Sequence, residues 1–144
     1  MWIPKLFVVH HTVTPVGPQW LRAMKNKKAY HIVIDQRGQL RVSVPNHKAS
    51  VRAVGGANGD TFSIALLGNF ETLVPSFASI KTLEQVLAVK LRKFGYNKKS
   101  DTQRIVSHND VAKIRRLGYG TACCGKNLYA KLPALRDSVS RYLI

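Results

Sequence analysis

Two short apolar runs in this chain each end in histidine. Leu6-Phe7-Val8-Val9 leads into His10-His11, and Arg104-Ile105-Val106-Ser107 leads into His108. Further on stand the two cysteines, adjacent in Thr121-Ala122-Cys123-Cys124-Gly125-Lys126. Neutral imidazole and thiolate are donors that zinc favours, and a site with three protein ligands keeps its fourth position open for water, whereas a structural zinc site closes all four. Neighbouring cysteines cannot easily share one ion, and no second cysteine pair exists to complete a structural set. One imidazole of the His10-His11 pair, His108 and one thiol therefore form a candidate open zinc centre. Its chemistry would be hydrolytic, since zinc brings the pKa of water towards ~7 and polarises a carbonyl.

Such groups need rigid mounts. Leu6 to Val9, rich in β-branched and aromatic types, read as a buried strand. Thr12-Val13-Thr14-Pro15-Val16-Gly17-Pro18 reads as the loop that follows, so the imidazoles stand at a strand exit. Trp20, Leu21 and Met24 share one face of a short helix. Ala29 to Asp35 and Leu40 to Val44 read as a hairpin around Gln36-Arg37-Gly38-Gln39, with a long loop from Pro45 to Asp60. Phe62 to Phe70 is almost continuously apolar, the pattern of a strand covered on both faces, and it belongs in mid-sheet. Thr82-Leu83-Glu84-Gln85 reads as a capping-box start for a helix that Gly95 ends, and a last helix spans Leu128 to Leu143 with Pro133 in its first turn. The expected fold class is α/β: residues 1–144 as a single domain, with a central mixed β-sheet flanked by helices.

At 144 residues one domain can bury a core without disulfide staples. Its net charge of +16, from 23 basic against 7 acidic side chains, exceeds the ~2–8 usual for a small domain and calls for a polyanionic partner. Nucleic acid, an acidic cell wall or an anionic membrane would satisfy charge alone. The sequence lacks the aromatic and basic interleaving of RNA-reading sheets and any finger-type ligand spacing, so nucleic acid is not expected. No run approaches the ~18 apolar residues of a membrane span, and no signal-peptide core precedes the first strand. Two adjacent cysteines offer no disulfide framework, which fits synthesis in a reducing cytosol.

Taken in order, His10-His11-Thr12, Ala29-Tyr30-His31, Ser63 to Phe70, Val106-Ser107-His108 and Thr121-Ala122-Cys123 resemble the zinc N-acetylmuramoyl-L-alanine amidases, which include phage amidase endolysins and peptidoglycan recognition proteins. The resemblance covers essentially the whole chain. It implies zinc (Zn2+) as cofactor, with His10, His108 and Cys123 as ligands. Strand alternation agrees with only one of His10 and His11 facing the metal; His11 and His31 are expected in the scaffold. Tyr30 matches the family's active-site tyrosine beside the water. Thr121 stands where members carry lysine or threonine and would donate to a developing oxyanion, or merely cap its loop. Asn58 resembles a substrate-groove asparagine, although Asn58-Gly59 is also an ordinary turn.

The implied reaction is cleavage of the amide between N-acetylmuramic acid and L-alanine of the peptidoglycan stem peptide. A phage endolysin, made in the host cytoplasm and acting on the wall after release, is the expected setting, and the alternative is a peptidoglycan-binding module without hydrolysis. The cationic surface would hold anionic wall or outer-membrane polymers. Two departures from the family pattern stand out. Cys124 occupies a position that is usually proline, and Arg52-Ala53-Val54-Gly55-Gly56-Ala57 lacks a groove histidine that many members carry, for which His47 could substitute only if the loop is re-routed.

Overall fold

The computed structural model describes residues 2–45 and 53–143. His47 and Arg52 lie outside the described residues. Among the described residues five strands form one sheet: β1 (Leu6–His11), β2 (Ile32–Ile34), β3 (Leu40–Val42), β4 (Thr61–Leu66) and β5 (Ile105–Ser107), in the order β3-β2-β4-β1-β5. β4 runs parallel to both β1 and β2, β5 is parallel to β1, and only β3 is antiparallel, pairing with β2 as a hairpin. The sheet is therefore mixed, and the apolar Phe62 run takes the middle position that its lack of alternation predicts.

Alternation along β1 divides the molecule. Phe7 and Val9 point into the main core, where they meet Phe62, Ile64 and Leu66 of β4 and the inner faces of α2 (Phe77–Lys93) and α5 (Leu132–Ser140). Burying each such side chain contributes ~1.5–3 kcal/mol. Val8 points to the opposite face and packs with Val54, Val106 and Val111, the last from α3 (His108–Ile114). On that same side Leu21 and Met24 of α1 (Pro18–Lys27) cover Val33 and Leu67. A short α4 (Lys126–Tyr129) leads into α5.

Three boundaries differ from the sequence reading, each for a local reason. α2 starts at Phe77, ahead of the Thr82 capping box, because Ser76 caps it by accepting the Ser79 N–H; Thr82 lies inside the helix and its hydroxyl donates to Gly38 O. The C-terminal segment is two helices, not one, with Pro133 in the first turn of the second. α3 is an addition: Ser107 accepts the Asp110 N–H while Asp110 accepts the Ser107 N–H, a capping box that starts a helix at His108 itself. The second histidine thus opens a helix directly off the strand. Among the described residues no helix is long and apolar enough to cross a membrane.

Candidate metal centre and active site

β1 carries His10 to the α1/α3 side of the sheet and His11 to the opposite side, as alternation requires. His11 Nδ1 accepts the Phe70 N–H at 3.0 Å, so this imidazole braces the turn after β4. His10 is 1% exposed and faces His108 across a 5.1 Å ring separation. Cys123 Sγ lies 3.5 Å from His10 Nδ1. One donor atom each from His10, His108 and Cys123 lies within 4.8 Å of the others, the single such group of His, Cys, Asp or Glu side chains among the described residues. Cys124, by contrast, is buried in the main core and does not join the cluster.

The cluster fits zinc by the chemistry of its donors. Burial first, then the neighbouring His108, His11 and His31, hold the His10 pKa well below its ordinary value, and burial lowers that of His108. Both imidazoles are therefore neutral, with a lone pair to give. Burial pushes the Cys123 thiol up to about 11, partly offset by a hydrogen bond from the His11 backbone N–H. A metal must displace that one proton on binding, as thiolate ligation demands. Zinc held here would supply a Lewis acid for an amide carbonyl and an activated water.

The loop bearing Cys123 is tied to the start of α3. Asn109 Oδ1 accepts the Thr121 N–H, and the Asn109 N–H donates to Cys123 O. Thr121 Oγ1 accepts the Cys123 N–H at 3.2 Å, so the loop-capping role is present, while the hydroxyl proton remains free to donate. Gly125 N–H closes the loop on Ala122 O. The cleft above the cluster, about 350 Å³, is lined by His10, Tyr30, Ala53, His108, Thr121 and Cys123 among others. Tyr30 holds its ring 5.2 Å from that of His10, and burial followed by the proximity of Cys123 pushes its phenol up to about 12, so it keeps its proton at neutral pH and can donate a hydrogen bond.

Tyr30, Thr121 and the three ligand candidates thus converge. Asn58 does not join them. Its Oδ1 accepts the Val54 N–H at 2.7 Å, so the side chain holds a turn instead of lining the cleft. His31 stacks on Phe62 at 4.6 Å and accepts the Ser63 N–H through Nδ1, a scaffold position. Three contributors escaped the sequence reading: Asn109; Ser63, whose buried Oγ lies 3.1 Å from His10 Nε2; and Tyr119, whose hydroxyl lies 3.1 Å from His108 Nε2. Of these, only Ser63 left a trace in the sequence, a hydroxyl within the apolar run Phe62 to Leu67.

A family model described as N-acetylmuramoyl-L-alanine amidase matches residues 3–126. The chain belongs to the N-acetylmuramoyl-L-alanine amidase family. The chain also shares its fold with solved structures. The Ph2119 endolysin from the Thermus scotoductus MAT2119 bacteriophage Ph2119 superposes with a TM-score of 0.71 at 20% identity, over 94% of this chain and 86% of that one. The amidase LysC from Clostridium intestinale URNW gives 0.70 at 22% identity, over 92% and 85%. A variant of Drosophila PGRP-LB in complex with tracheal cytotoxin gives 0.67 at 15% identity, over 93% and 82%. No curated protein sequence matches the chain.

Proposed function

We propose that this family member is a zinc-dependent peptidoglycan hydrolase that cleaves the amide between N-acetylmuramic acid and L-alanine of the stem peptide. The observation that carries the reading is the convergence of His10, His108 and Cys123 within 4.8 Å at the floor of a cleft that also holds a protonated tyrosine. His10, His108 and Cys123 would hold the zinc, which when bound supplies the Lewis acid and the activated water. The Tyr30 phenol donates a hydrogen bond towards the scissile carbonyl or the attacking water, at no cost in charge because its proton stays on at neutral pH. Thr121, whose oxygen is already committed to the Cys123 N–H, directs its hydroxyl proton into the cleft to meet negative charge developing on the carbonyl oxygen. Burial of the imidazoles keeps them unprotonated, so the ligand set stays available through neutral pH.

The setting proposed is that of a phage endolysin, made in the host cytoplasm and reaching the wall on release. Its +16 charge supports attraction to anionic wall or outer-membrane polymers before chemistry. A non-catalytic peptidoglycan binder is the rival, and a complete open ligand set with a tyrosine beside it argues for hydrolysis. Digestion of purified peptidoglycan decides between them. New L-alanine amino groups without new reducing sugars are expected, together with their loss on chelation and return on adding zinc. Binding with no released ends would leave only the module.

A further inference from the structure

We infer that Tyr119 is the positioning residue that sets the tautomer of His108 for the metal and ties that ligand to Gly55, two residues after the cleft-lining Ala53. The inference rests on the metal reading above. The Tyr119 hydroxyl lies 2.9 Å from Gly55 O and 3.1 Å from His108 Nε2. A carbonyl oxygen can only accept, and a phenol has one proton to give. That proton goes to Gly55. Towards His108 the phenol oxygen must then accept, so Nε2 carries the hydrogen and Nδ1 is left with the lone pair. Nδ1 is also the nitrogen that Tyr119 leaves free to turn towards His10 and Cys123.

The two histidines are held differently. His10 sits 1% exposed between strands, its Nε2 against the buried Ser63 hydroxyl, and has little room to turn. His108 stands half-buried at the first turn of α3, where the Ser107 and Asp110 capping box fixes the backbone but not the ring. Tyr119 supplies what is missing: its ring meets that of His108 edge-on, 5.8 Å between centroids at 84°. The chain is routed to allow this. Arg116 and Gly118 both take positive φ, +51 and +82, which folds the loop after α3 back over the helix start. Arg115 anchors that turn through a two-point ion pair with Asp60, at 2.9 and 3.1 Å. One hydroxyl thereby links a ligand imidazole to the segment that runs from the cleft-lining Ala53 to Gly55.

The test is Tyr119→Phe, which keeps the ring and removes only the hydroxyl, with Tyr142→Phe as the control for an equally exposed phenol elsewhere. Nitrogen-15 spectra of the metal-free protein read the His108 tautomer, and competition against a chelator reads zinc affinity. Wild type should show His108 with hydrogen on Nε2. In Tyr119→Phe that signature should be lost to a mixture of tautomers, and zinc affinity should fall by about 10–100-fold, the usual cost of losing a partner that orients a metal-bound histidine. Tyr142→Phe should change neither. Unchanged zinc affinity in Tyr119→Phe overturns the inference, and so does an affinity loss with the tautomer unaltered. Failure of the wild type itself to take up zinc would strike the metal reading instead, and the tautomer would still be read on the metal-free protein.

Discussion

Replacing Gly125 by alanine should damage both the fold and the metal centre, and the structure fixes why. Gly125 has φ +88 and ψ 141, a region that residues with a Cβ essentially avoid at a cost of ~1–3 kcal/mol. A Cβ there would also sit 2.6 Å from Phe70 C and 2.9 Å from both Glu71 N and His11 Nδ1. Two of these three atoms are backbone, so the strain is relieved only by moving the turn after β4 away from His11. That movement breaks the hydrogen bond from Phe70 N–H to His11 Nδ1, and an unsatisfied buried donor costs a further ~1–3 kcal/mol. The sum, about 2–6 kcal/mol, is a large part of the ~5–15 kcal/mol that holds a domain together. Gly118→Ala is the control, because its φ is also positive, +82, but nothing lies within 4 Å of the added Cβ. Urea unfolding at constant slope should place Gly125→Ala well below Gly118→Ala. Zinc affinity should fall in Gly125→Ala alone, since Gly125 N–H closes the Cys123 loop. Equal stability of the two variants, within about 0.5 kcal/mol, would refute the packing argument.

Other outcomes follow from the same geometry. Cys123→Ser should lose zinc, whereas Cys124→Ala should keep it and give up about 1 kcal/mol of core packing, and equal metal loss in both would remove the ligand assignment. Tyr30→Phe should retain zinc by elemental analysis while turnover drops; wild-type turnover would discard the donor role. The metal-free protein should lose stability on both sides of neutrality. His10, His11 and His108 have folded pKa values below the ordinary 6.5, so their contribution is full above that value and is lost as pH falls. Cys123, raised from 9.0 to about 11, acts in the opposite sense, and stability should decline as pH climbs past 9; an unfolding midpoint flat from pH 5 to about pH 10 would contradict both. Wall binding should weaken steeply with salt and in a variant neutralised at the exposed Lys98, Lys99 and Arg116, with turnover of a short soluble muramoyl-peptide preserved. Arg115 is left out of that set because its ion pair with Asp60 is structural. Wall binding that ignores both salt and neutralisation would remove the charge as the targeting device.

The ligand types and the sheet were legible in the sequence because each rests on a local rule. A period of two in β1 separates His10 from His11, and an unbroken apolar run marks β4 as central. Cys123 and Cys124 are chemically equal as letters; only packing sends one sulfur to the cluster and the other into the core. The start of α2 at Ser76 and the capping box at Ser107 were written in local signals, but Thr82-Leu83-Glu84-Gln85 offered a competing start that tertiary contact with Gly38 turned into a helix interior. Asn58 resembled a groove residue, and in the folded chain its Oδ1 accepts the Val54 N–H and braces a turn. Tyr119 and Asn109 could not have been read from the chain at all. Tyr119 acts on Gly55, 64 positions away, and Asn109 on the cysteine loop beyond it, so their roles exist only once β1, β4 and β5 have been brought side by side. Sequence determines which donors are present and which face of a strand they can occupy; the folded chain decides which nitrogen of each imidazole is free and which thiol it meets.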